Sequence, residues 1–148
     1  MCLTLYMGTK KEVPEIPFNA QDRHLWTEKL HKEHKEEESI RRHFTLPIIT
    51  YVGSDLNCGC GFRHISILDD NNLIYDDPKE ADKAKNHREL LAFIKENLGD
   101  QDRIELYAVW EGKWDKLPKH KEEIDAAQLV DDDFCFREPG FYTVKNIR

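Results

Sequence analysis

A chain of 148 residues, 39% hydrophobic and 10% aromatic, is long enough to bury a core and too rich in aromatic rings for intrinsic disorder. Its net charge of −7, from 22 basic and 29 acidic residues, repels nucleic-acid phosphates and argues against nucleic acid as a partner. No run approaches the ~20 apolar residues of a membrane-spanning helix, which argues against a membrane partner.

The opening Met1-Cys2-Leu3-Thr4-Leu5-Tyr6-Met7 has no basic leader, and its apolar run ends at Gly8-Thr9-Lys10, so an export signal is not expected. The expectation is a single domain, 1–148, in the reducing cytoplasm. There the four cysteines read as thiols, metal ligands or transient redox partners.

Leu3 to Met7 reads as a short buried strand, and Val13 to Phe18, with Pro14 and Pro17, as an extended loop or edge segment. Leu25-Trp26-Thr27 reads as a strand, and Glu36 to His43 as a solvated helical turn or two ending before Pro47. His31 and His34 stand at a spacing that suits metal ligation, but no acid or cysteine cluster completes a site, so a solvated face is expected. Pro47 to Val52 is the clearest strand, β-branched and continuous, as in a central position of a sheet. It runs straight into Gly53 and the cysteine loop.

Phe62 to Leu68 reads as a further strand, with Asp69 to Asn72 turning into Leu73-Ile74-Tyr75. Asn86 to Leu98 is the best helix: Asn86 caps it, Glu89 follows three residues later, and Leu90, Leu91, Ile94 and Leu98 share a face before Gly99. Asp77-Pro78 can open an earlier helix continuous with it. Ile104 to Trp110 alternates as a strand, and Glu111-Gly112 reverses the chain toward Lys113-Trp114. Ile124 to Val130 reads as another strand, and Phe134 to Phe136 with Phe141 to Val144 flank Glu138-Pro139-Gly140 as a hairpin. Strands outnumber helices without alternating regularly with them. An α+β fold follows, a mainly antiparallel sheet covered by one or two helices in a single pair of layers.

The chemically distinctive stretch is Gly53-Ser54-Asp55-Leu56-Asn57-Cys58-Gly59-Cys60-Gly61-Phe62. Two residues apart on extended backbone, Cys58 and Cys60 present their sulfurs on one side. Gly53, Gly59 and Gly61 free the loop backbone for tight bends. Two thiolates are half of a tetrahedral zinc or other soft-metal site, which Cys2, Cys135, His43 or His64 can complete. The same pair suits thiol redox chemistry, with Arg63 and His64 placed to acidify a thiol.

A third use, an anion-binding nest of backbone amides, lacks both the Walker pattern and Gly-x-Gly-x-x-Gly, so nucleotide binding is not expected. Against all three stands a purely architectural corner, in which small cysteines bury beside a strand. Trp26, Trp110 and Trp114 read as core or rim aromatics, and Asp131 to Asp133 as a solvated turn.

Together the opening Met-Cys-Leu-Thr-Leu-Tyr, Tyr51-Val52-Gly53-Ser54, the Cys-Gly-Cys-Gly-Phe run and Leu106 to Gly112 resemble a family of short bacterial proteins over most of the chain. That resemblance brings no activity with it, and no catalytic residue or reaction is indicated. The leading expectation is a thiol site that binds a soft metal or a thiol-reactive small ligand. The competing one is a non-catalytic interaction domain in which the loop is a packing corner.

Overall fold

A computed structural model describes residues 2–68, 73–75 and 80–148. Its first strand, β1 (Leu3–Thr9), is mostly apolar and is buried along its whole length. It pairs antiparallel with β3 (Ile48–Gly53) on one side and β6 (Arg103–Trp110) on the other, so that Leu5 lies opposite both Val52 and Ala108. Strand β2 (Trp26–Lys29) closes one edge against β3, and β9 (Gly140–Lys145) and β7 (His120–Asp125) extend the other. The six-stranded order is β2-β3-β1-β6-β9-β7. A three-stranded sheet, β5 (Leu73–Tyr75), β4 (His64–Ile67) and β8 (Phe136–Glu138), stands beside it.

Pairing is mainly antiparallel, as expected, but both sheets are mixed: β7 runs parallel to β9 and β4 parallel to β8. The α+β class is therefore the observed one. Among the described residues no helix is long and apolar enough to cross a membrane.

Side chains alternate across a strand, so β1 and β6 send Leu3, Leu5, Leu106 and Ala108 to one face and Tyr6, Tyr107 and Val109 to the other. Helix α2 (Glu80–Leu98) covers the first face with Leu90, Phe93, Ile94 and Leu98. Each of these side chains contributes about 1.5–3 kcal/mol by leaving water. The second face is covered by Leu30 and by Ile40 of the short α1 (Glu37–Arg41).

Three expectations are corrected. Helix α2 starts six residues before Asn86, which therefore lies inside the helix and does not cap it. The stretch Ile124 to Val130 is not one strand: β7 ends at Asp125, whose capping box with Gln128 starts a 3₁₀ turn over Ala126–Val130. Finally, Glu138-Pro139-Gly140 does not join a hairpin. Strand β8 pairs with β4 and β9 with β6 and β7, so this cis-proline turn carries the chain from one sheet to the other. The Asp69–Asn72 turn and Asp77-Pro78 lie outside the described residues.

Candidate functional site

The site forms where β1 begins, β3 ends and β6 ends. At Gly53 the indole of Trp26, its cross-strand partner, lies directly on the strand: a Cβ there would come within 2.0 Å of Trp26 Nε1. Beyond Gly53 the chain folds around Ser54. The Ser54 N–H donates to the Cys58 carbonyl at 2.8 Å, and its hydroxyl donates to the same carbonyl. That hydroxyl oxygen also accepts from Leu56 N at 3.2 Å and Gly61 N at 3.1 Å. Asn57 adopts φ 67°, a left-handed conformation that asparagine tolerates better than most residues.

From α2, Asn86 clamps both ends of the loop: Oδ1 accepts from Asp55 N at 3.2 Å and Nδ2 donates to Gly61 O at 2.9 Å. Residues Gly59–Gly61 form one 3₁₀ turn packed on β1, where a Cβ at Gly59 would stand 2.8 Å from the Leu3 carbonyl. The loop is thus a tight corner, and the corner is what positions the sulfurs.

Cys2 enters from the start of β1, its carbonyl accepting from Glu111 N at 2.7 Å. The sulfurs of Cys2, Cys58 and Cys60 all lie within 4.8 Å of one another, and all three thiols are free and half-buried. Two of them accept backbone hydrogen bonds: Leu3 N–H donates to Cys60 Sγ at 3.2 Å and Cys60 N–H to Cys58 Sγ at 3.4 Å. The Cys58 thiol donates to Cys60, which holds the Cys60 thiol below its ordinary range. Leu3 N–H, the His64 ring and the Cys2 thiol act in the same direction, against the cost of burial. Cys58 is pushed up in turn, first by its bond to Cys60 and then by burial. The pair is therefore poised to hold one proton between two sulfurs.

The remaining candidates sit elsewhere. His64 is buried, its Nδ1 donating to Phe62 O at 2.8 Å, and it does not join the three-sulfur group. His43 pairs through Nε2 with Trp114 O at 2.8 Å on the second face of the sheet. Cys135 is half-buried beside Phe136 at the start of β8, outside the cluster, with its thiol raised by burial. Arg63 does not face the thiols with its guanidinium: Nη1 donates to the carbonyls of Asp131, Asp132 and Phe134 at 2.8, 3.1 and 3.2 Å. His34 accepts from His31 N at 2.9 Å.

Sequence reasoning missed Ser54 and Asn86, whose polar side chains shape the loop from buried positions. It also missed a cavity of about 360 Å³ that Cys2 and Cys58 line together with Tyr6, Trp26, Tyr51 and Trp114. A buried asparagine facing a loop from mid-helix is a recognisable sign only once the helix is known to start before it.

No protein-family model, curated protein or solved structure matches this chain. What the site can do therefore follows from its chemistry. Three sulfurs at 2.3 Å from one tetrahedral ion stand roughly 3.8 Å apart, a spacing that falls inside the observed limit. Thiolates select soft and borderline ions, copper(I) and zinc foremost. Among the described residues no fourth cysteine, histidine or carboxylate belongs to the group.

Proposed function

We propose that the protein binds one thiophilic metal ion, zinc or copper(I), through Cys2, Cys58 and Cys60. The observation that carries this reading is the convergence of three sulfurs from two remote segments to within 4.8 Å of one another. Amide hydrogen bonds to two of the sulfurs and the acidified Cys60 support it, because both stabilise the thiolate that a metal needs. Three sulfurs suffice for trigonal copper(I), whereas zinc would keep one position for water or an exogenous ligand. A reducing compartment, the cytoplasm, belongs to this reading, since free thiols persist there.

A second reading is favoured by the acidified Cys60: the same sulfurs capture a thiol-reactive small molecule, with Cys60 as the nucleophile. Titration of the reduced, metal-free protein with zinc against a chromophoric chelator, with alkylation of the thiols as a parallel readout, separates the two. The metal reading expects uptake of one ion per chain, protection of all three thiols, and weaker binding in Cys2→Ser, Cys58→Ser and Cys60→Ser. Fast alkylation of Cys60 alone, unchanged by zinc or copper(I), favours the second reading. Slow alkylation of all three thiols, with no uptake of either metal, leaves the loop as a packing corner.

A further inference from the structure

Beside the thiols, the cavity of about 360 Å³ is of the size of a small-molecule site. One wall is continuous aromatic surface: the Tyr51 ring lies 5.0 Å from that of Trp26 and 5.4 Å from that of Tyr6, centre to centre. Trp114 provides a further wall. Glu28, Glu36 and Glu111 also line the space, with His34 as the one basic side chain among its lining residues and no lysine or arginine. Among the described residues none of the three carboxylates is engaged in an ion pair. Elsewhere on this surface the acids are commonly paired, as Asp100 with Lys11 and Asp102 with Lys10. Unpaired carboxylates around aromatic faces form a negative field over π-systems, the environment that recognises organic cations.

We propose that this cavity binds a small organic cation, a substituted ammonium group seated against the Trp26, Tyr51 and Trp114 rings and held by the field of Glu28, Glu36 and Glu111. A further observation agrees. The field reaches the cavity walls, since Glu36 adds to burial in raising the Tyr6 phenol and Glu111 does the same for Tyr51. An anion would be repelled by the three carboxylates that line the cavity. This inference goes beyond the metal reading and does not require it, although Cys2 and Cys58 border both spaces.

The test is a titration of the full chain, reduced and in the presence of a metal chelator, followed by tryptophan fluorescence. The probes are tetramethylammonium, choline, and 3,3-dimethylbutan-1-ol as the uncharged isostere of choline. Saturable binding of both cations is expected, with the alcohol about tenfold weaker or more. Glu36→Gln and Glu111→Gln, at the rim, should each weaken choline while leaving the alcohol unchanged, with circular dichroism confirming the fold. Absence of saturable cation binding, or equal affinity for the alcohol, overturns the proposal. Because the chelator is present throughout, failure to take up a metal in the separate titration has no bearing on this result.

Discussion

The main-chain N–H of Leu3 donates to the sulfur of Cys60 at 3.2 Å, across a sequence separation of 57 residues. Main chain, rather than another side chain, thereby fixes one sulfur of the cluster. Leu3 opens β1, which lies between β3 and β6, so this bond ties the thiol site to an interior strand of the sheet. It also offers a partial positive charge to the sulfur, which favours thiolate over thiol.

Cys60 should therefore be the reactive thiol of the three. With its ionisation favoured, its alkylation rate should reach a plateau at lower pH than that of a free cysteine, while Cys58 stays slow. Peptide mapping after pulsed iodoacetamide at a series of pH values measures this. Equal rates at Cys58 and Cys60, rising together in the alkaline range, would contradict the assigned proton sharing.

Ser54→Ala removes the hydroxyl that bonds Cys58 O, Leu56 N and Gly61 N. Ser54 is fully buried, so water cannot readily replace it. A loss of about 1–3 kcal/mol in urea unfolding is expected, together with weaker zinc binding because the loop backbone relaxes. Unchanged stability would show that the loop does not depend on this hydroxyl.

Gly61→Ala places a methyl group 2.3 Å from Ser54 Oγ and 2.7 Å from Asn86 Nδ2. Neither neighbour can withdraw without breaking the clamp between loop and α2. Overpacking of this kind typically costs about 1–3 kcal/mol, and zinc affinity should fall further than stability does. Isothermal titration alongside thermal unfolding separates the two effects.

His87 gives the protein an acid-sensitive joint. Its Nε2 accepts from Arg63 N at 2.8 Å and its Nδ1 donates to Leu129 O at 2.9 Å, which requires the neutral ring. Burial, aided by the Arg63 charge, holds it down to about 4. The unfolded chain therefore takes up this proton near the ordinary 6.5 and the folded chain only near 4. Stability from this group is complete above the higher value and is lost as pH falls through the window between them. The loss is about 3 kcal/mol at most. Urea midpoints of the wild type should show this acid slope beyond that of its carboxylates, and His87→Gln should lack it. Identical slopes in the two proteins would exclude His87 as the source.

The interior strands were legible because burial leaves a direct trace: Leu3 to Met7, Pro47 to Val52 and Ile104 to Trp110 are dominated by apolar, β-favouring residues. The first turns of α2, where Lys83 and Lys85 leave no apolar stripe, were signalled only by the helix opening read at Asp77-Pro78, and Asn86 was read as a cap although it lies inside the helix. Turn chemistry at Glu138-Pro139-Gly140 marks a change of direction but not the sheet that the chain enters next. At the site, the Cys58 and Cys60 spacing was enough to single out the loop. The arrival of Cys2 rests on the register that sets Leu5 opposite Val52, which no local pattern encodes. His64, near in sequence, gives its Nδ1 to Phe62 O and lies outside the three-sulfur group. Trp26 and Trp114 read as packing residues, and only the pairing of β2 with β3 shows Trp26 lying over Gly53 beside a cavity.

The central claim is that one ion is held by three sulfurs. X-ray absorption at the zinc edge of the loaded protein counts those donors directly. The expected spectrum has three sulfur scatterers at about 2.3 Å, falling to two in Cys2→Ser. A first shell of nitrogen and oxygen alone, or a sulfur count unchanged by the Cys2 substitution, would contradict it.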